Sequence, residues 1–205
     1  MKTTTPFAAL LLALLMVSCR ESQPQESILP AGFELRAGDV VFRRGGSMMS
    51  RSVVALDAHG RYSHVGIVVD STGHKMVVHA VPGEPDFAGD EDRVKMDAPE
   101  RFFSSVNAIV GEVCRPADSL SAAHAAQEAL RIYRRHVLFD HDYDADDTTR
   151  MYCTEVVALA YERAGVALLP AEPHHINIPG LHVDCYFPSD LYDSGLLVSV
   201  GQFHR

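Results

Sequence analysis

Positive charge is scarce in this sequence. Its 205 residues carry 18 Lys and Arg against 27 Asp and Glu, for a formal net charge of −9. The acids are spread along the chain with no basic cluster to answer them, which excludes nucleic acid as a partner. Cysteine is also sparse, at four residues. Repeats of low complexity are missing, so with 47% hydrophobic residues the chain reads as one ordinary globular domain plus extras. Four kinds of motif are absent: a His-Glu-x-x-His helix, paired Cys-x-x-Cys, a phosphate-cradling glycine loop and a Gly-x-Ser-x-Gly elbow. The acidic run Asp140, Asp142, Asp144, Asp146, Asp147 fails as a calcium loop, because position six is Ala145 or Asp147 rather than Gly and position twelve is Met151 or Cys153 rather than Glu. It reads as a solvated loop in which one Asp is a structural acceptor. His174, His175, His182 and Cys185 are too irregularly spaced for a metal site. The expectation is no metal and no cofactor.

What is present begins with a leader. Lys2 precedes an apolar run from Phe7 to Val17, too short to span a bilayer comfortably, and Ser18-Cys19 supplies a small residue at a cleavage point. This resembles a bacterial lipoprotein signal, which implies lipidation of Cys19. Residues 1–18 are then the signal, 19–31 a flexible tether rich in Gln, Ser, Glu and Pro, and 32–205 the folded domain. The expected location is the cell envelope of a bacterium, exported and lipid-anchored. Cys114 and Cys185 are left either as a disulfide or as two separate buried thiols.

The stretch from Arg150 to Gly165 predicts a helix, with Asp147, Thr148 and Thr149 as capping residue types and Gly165 at its left-handed C-terminal position. Cys153 falls in the first turn, where free N–H groups and the helix dipole favour a thiolate. Cys153, Val156, Val157, Ala160 and Ala164 form one apolar stripe, so the cysteine faces whatever the helix packs on. A second helix is expected from Ser119 to about His136, a third from Ser47 to about Leu56, and strands near Val40–Phe42, 102–113 and Leu196–Val200. Pro82 to Pro99 and Ala167 to Cys185 read as loops.

Tyr62–Asp70 and Lys75–Val81 form a hairpin. Centring its turn between Ser71 and Thr72 sets Val69 opposite His74 and His64 opposite His79, two imidazoles side by side on one sheet face. Gly66, on that face, leaves room for a helix terminus to approach. A thiol at a helix start, a histidine to move its proton and a second polar group to orient that histidine make a cysteine-hydrolase set. The assignment is Cys153 as nucleophile, His64 as general base and acid, and His79 as the orienting group. The Cys153 N–H serves as oxyanion donor, with Tyr62 or Tyr152 adding a phenol.

In this order, Gly38-Asp-Val-Val-Phe42, Tyr62-Ser-His-Val-Gly-Ile-Val68, His79-Ala-Val81, Phe139-Asp140 and Tyr152-Cys-Thr-Glu-Val156 resemble the circularly permuted branch of the NlpC-like papain-fold superfamily. That branch includes YiiX-like amidases and lecithin retinol acyltransferase-like enzymes. The resemblance covers roughly Leu35 to Gly165. It implies an α+β, circularly permuted papain-like fold, with a curved antiparallel sheet packed against helices. Its third catalytic position is often a carboxylate in YiiX-like members and a histidine in the acyltransferase-like ones. The expected function is a membrane-anchored thiol hydrolase cleaving a peptide or N-acyl amide in the cell envelope through a thioester. The alternatives are acyl transfer or lipid hydrolysis through the same thioester, and an inactive papain-fold binding lipoprotein.

Overall fold

The computed structural model describes residues 26–205 apart from 146 and 148. The signal, Cys19 and the first part of the tether lie outside the described residues.

Six antiparallel strands make one sheet in the order β4-β3-β2-β1-β5-β8, from β1 (Val40–Arg44), β2 (His64–Ser71), β3 (His74–Ala80), β4 (Val94–Asp97), β5 (Val110–Pro116) and β8 (Leu197–His204). Helices α3 (Ser119–Arg134) and α4 (Cys153–Arg163) pack on one face, where Val65, Ile67, Val69 and Val78 meet Ala125, Ala129, Val156 and Ala160. Strand alternation sends Val41, Val68 and Val77 to the other face, where they pack with Phe102, Phe103 and Phe203. Helix α1 (Met48–Leu56), capped by Ser47 as expected, and the short helices α2 (Pro99–Phe102) and α5 (Pro188–Tyr192) complete the mixed α/β architecture. At Gly38 the turn into β1 has φ +89°, and a Cβ there would lie 2.4 Å from the Ala122 carbonyl oxygen. Only glycine lets β1 start this close to α3.

Several expectations need correction. Helix α4 starts at Cys153 rather than Arg150, because Met151 is held extended by a parallel bridge to Phe139. Its N-terminal support comes from Glu155, which accepts the Tyr152 N–H at 2.9 Å, while Asp147 is engaged with Thr149 and Arg150. The Pro82–Pro99 loop contains strand β4. Ala167–Cys185 contains a separate hairpin of β6 (His174–Ile178) and β7 (Leu181–Cys185), turning at Gly180 with φ +85°. Residues 26–31 of the expected tether are attached: Ile28 donates to the Phe103 carbonyl at 2.9 Å, Ser105 to that of Glu26 at 2.7 Å, and Ile28 and Leu29 pack beside Phe103. Cys114 and Cys185 are separate free thiols. Asp140 is the buried acceptor of its acidic run, taking the N–H groups of Asp142 and Asp144.

The β2–β3 register also differs. The turn is Thr72-Gly73, both with positive φ (50° and 83°), the two-residue geometry whose twist suits a hairpin. Ser71 therefore opposes His74 and Val69 opposes Met76, a shift of two residues from the expected pairing. A shift of two preserves the face, so His64 and His79 still share one side of the sheet. They are diagonal neighbours instead of direct partners.

Candidate active site

The ladder between β2 and β3 stops at Ile67↔Val78, and the site is built where it ends. His64 begins β2 and His79 nears the end of β3. Gly66 makes this possible: a Cβ there would stand 2.6 Å from Val77 Cγ1 and 3.2 Å from His79 Cβ. Its missing side chain admits β3 and His79, not the helix terminus expected from sequence.

The two imidazoles are buried and hydrogen-bonded, His64 Nε2 to His79 Nδ1 at 2.9 Å. His79 Nε2 continues to Asp97 Oδ2 at 3.1 Å. Asp97 lies on β4, whose register puts Lys95 opposite His79 and Asp97 opposite Val77. The ring of Phe102 packs against both imidazoles, with centroids 5.6 and 5.1 Å away. Arg43, opposite His64 on β1, is also buried. Its guanidinium stands 4.8 Å over Phe102, donates to the Phe102 carbonyl at 2.8 Å, and pairs with Glu84.

Cys153 is the first residue of α4, whose body packs on the opposite sheet face from the imidazoles. The cysteine stands at the helix N-terminus beside Val65 of β2, close enough to Arg43 to feel its charge. Its Sγ feels the nearby Val65 N–H and lies 3.9 Å from Thr154 Oγ1. Among the described residues no hydrogen bond joins it to His64, but both residues line one cavity of about 590 Å³. That cavity is walled by α1 (Met49, Val53, Leu56), the β6–β7 hairpin (Ile176, Leu181, Val183), Tyr143 and Tyr152, so most of its lining is apolar.

Burial dominates the electrostatics. It pushes the Cys153 thiol up, against the Val65 N–H, Thr154 and Arg43. It pushes His64 well below the ordinary 6.5, helped by the charge of Arg43 and by His79. His79 is lowered by burial too, with the Asp97 hydrogen bond opposing. Burial raises Asp97, but the His79 hydrogen bond and the charges of His79, Lys95 and Arg101 outweigh it and hold the carboxyl below its usual value. At neutral pH the resting state is thus a thiol and two neutral imidazoles beside a carboxylate, rather than the dipole-stabilised thiolate expected from position alone.

That state fixes the tautomers. An ionised Asp97 can only accept, so His79 carries its proton on Nε2 and offers the lone pair of Nδ1. His64 must then donate from Nε2, which leaves its Nδ1 as the basic nitrogen.

The remaining predicted residues fare differently. The Tyr62 hydroxyl donates to Glu112 on the helix-bearing face, among Phe42 and Tyr192, and is not brought to the cavity. Its burial in an aromatic cluster, not catalysis, explains it. Tyr152 lines the cavity, but its hydroxyl accepts the Tyr186 N–H at 2.8 Å. The Cys153 N–H, at the first helical position, has no intrahelical acceptor. His174 pairs with Asp190 and His175 with Asp184, without converging. Asp97 and Arg43 were missed. Arg43 sits in Val-Val-Phe-Arg-Arg, where alternation alone would have turned one arginine inward.

Among solved structures, the fold is similar to that of the metalloprotein YiiX from Escherichia coli O157:H7, with a TM-score of 0.65 at 20% identity over 84% of this chain and 100% of that one. The fold is YiiX-like: mixed α/β, with a large antiparallel sheet packed against helices. No family model matches the chain, and no curated protein does.

Proposed function

We propose that this chain is a lipid-anchored thiol hydrolase of the permuted papain-like kind, cleaving an N-acyl amide in the bacterial cell envelope. The observation that carries the reading is the buried chain Asp97–His79–His64 ending on the cavity that Cys153 also lines. In the first step His64 Nδ1 takes the thiol proton as Sγ attacks the acyl carbonyl carbon, and the carbonyl electrons move to oxygen beside the Cys153 N–H. Collapse returns that proton to the amine, which leaves, and an acyl thioester remains on Cys153. Water, deprotonated by the same nitrogen, releases the acid and restores the thiol. His79 and Asp97 hold the imidazole in the tautomer this sequence needs. Arg43 adds a fixed positive charge beside the developing anion.

The apolar walls favour an acyl chain over a polar stem peptide as the group held next to the cysteine. The same walls support acyl transfer to an acceptor other than water as a second reading. Export and lipidation of Cys19 rest on the leader alone; among the described residues no helix is long and apolar enough to cross a membrane.

A metal centre of the kind the YiiX description suggests does not fit these donors. His64 Nε2 and His79 Nδ1 face each other across a hydrogen bond, and the other nitrogen of His79 is committed to Asp97. No three His, Cys, Asp or Glu side chains among the described residues converge as ligands.

The test is Cys153→Ala against a panel of long-chain N-acyl and acyl-ester substrates. Loss of turnover in the variant, with its fold intact, supports the assignment; turnover retained in Cys153→Ala refutes it.

A further inference from the structure

Part of the cavity wall lies at one end of the sheet, where β1 ends at Arg44, β5 begins at Val110 and β8 ends at His204. Gly45 and Gly46, which follow β1, are in that lining. Large apolar side chains gather there and face solvent: Met48 is 85% exposed, Met49 58%, Val106 69% and Ile109 36%. Met49 and Val106 also line the cavity. The four are neighbours through the backbone, since Ile109 donates to the Arg44 carbonyl at 2.8 Å and a Cβ on Gly46 would lie 3.9 Å from Ile109 Cγ2. Single exposed hydrophobes need no explanation, but four at one edge of an apolar cavity do.

Two further observations say what covers it. The N-terminal segment enters the described structure at this edge, where Ser105 donates to the Glu26 carbonyl at 2.7 Å, one residue before Val106. Cys19 precedes Glu26 by seven residues, a length that spans at most about 25 Å. An anchor on Cys19 therefore keeps the Glu26–Ser105 edge within that distance of the bilayer. Secondly, the edge carries arginines in a chain of net charge −9. Arg44 ends β1, Arg51 sits one turn beyond Met48 on the exposed side of α1, and Arg205 donates to the Ser105 carbonyl at 3.4 Å, with Glu26 and Glu84 the acids nearby. Exposed apolar side chains with arginines among them suit a surface of acyl chains beneath phosphate groups.

We propose that this end of the sheet docks on the lipid bilayer and opens the Cys153 cavity directly toward it, so that the substrate's acyl chain enters from the membrane without crossing water. The docking rests on lipidation of Cys19, and the entry of an acyl chain rests also on the proposed acyl substrate. Tethering makes even a weak contact effective, because docking becomes intramolecular.

The chain contains no tryptophan, which gives a clean probe. Met48→Trp and Val106→Trp, each at an exposed position, are compared with Leu120→Trp and Val198→Trp, 65% and 61% exposed. The latter two lie toward the opposite strand ends, Leu120 beside the α3 residue that meets Gly38 and Val198 opposite Arg115. Full-length protein is placed on vesicles of phosphatidylcholine and phosphatidylglycerol with brominated acyl chains. The expected result is a blue shift and loss of emission for Met48→Trp and Val106→Trp, with Leu120→Trp and Val198→Trp unchanged. Equal quenching at all four, quenching only at the controls, or no vesicle association overturns the proposal. Intact mass reports acylation of Cys19 separately, so failure of the anchor and failure of the docking face are told apart. A Cys153→Ala background leaves the whole experiment unaffected.

Discussion

Replacing Asp97 by Asn changes one charge and almost no volume, at the far end of a hydrogen-bonded chain from the sulfur. The fold should tolerate it, because Lys95 keeps its bonds to the Glu84 carbonyl and to Asp86 at 2.7 and 2.8 Å. Two outcomes follow at His79. If the Asn oxygen faces Nε2, the tautomers survive but the charge is lost; a hydrogen bond to a charged group contributes about 1.5–3 kcal/mol, or roughly 10–150-fold in rate. If the amide nitrogen turns toward Nε2, the protons shift along the chain. His79 Nδ1 then donates to His64 Nε2, His64 carries its proton on Nδ1, and no base faces the thiol. An Asp→Asn change in the Ser-His-Asp triad, where the tautomer is lost, costs on the order of 10⁴. Alkylation of Cys153 by iodoacetamide at neutral pH, mapped by peptide mass, needs no substrate. Competing thiols are quiet, since burial pushes Cys114 to about 12 and Cys185 to about 11. The expected result is a drop of at least about tenfold at an unchanged melting temperature, with altered ¹⁵N shifts of the two rings. An alkylation rate and ring tautomers matching the parent protein would refute the positioning role.

The pH dependence of the same alkylation should show an acid limb below the ordinary histidine value of 6.5, because burial and Arg43 lower His64; a limb at or above 6.5 contradicts a buried neutral base, and His64→Ala should remove the limb. Tyr62→Phe should leave Cys153 reactivity within about twofold while costing about 1–3 kcal/mol in denaturant unfolding, because buried Glu112 loses a donor; a large loss of reactivity would return Tyr62 to the site. Glu155 titrates near 4.5 unfolded and at about 8 folded, chiefly through burial, with Asp140, Asp147 and Asp144 adding to the effect. Its stabilising protonation is fully present below the unfolded value and is lost as pH rises through the folded one, a change on the order of 3 kcal/mol after allowing for partial exposure. Glu155→Gln, which keeps an acceptor for the Tyr152 N–H, should flatten that slope in melting temperatures taken from about pH 5 to about pH 9; an unchanged slope would contradict the burial argument.

What could be read from the sequence was set by strong local signals. The β2 and β3 strands, the Asp118- and Ser47-capped helices and Gly165 at φ +84° all follow from period, cap and turn chemistry. The same-face histidine pair survived a register error because side chains alternate with period two. Strand β4 was hidden because two of its four residues, Lys95 and Asp97, are charges that a sequence pattern assigns to solvent, yet they are buried by partners that include His79, Asp86, Arg101 and the Glu84 carbonyl. The β6–β7 hairpin was hidden for the opposite reason, its alternation of Ile176 and Val183 being only half-buried. That Cys153 and His64 line one cavity is a tertiary fact with no sequence marker.

The most direct measurement is the trapped intermediate. Wild-type protein is quenched in acid during turnover of a long-chain N-acyl anilide, and its peptides are weighed. The account predicts one acyl mass on the peptide bearing Cys153, absent from Cys153→Ala and strongly reduced in His64→Ala. Product released with no acyl mass on that peptide, or an adduct of equal yield in His64→Ala, would contradict it.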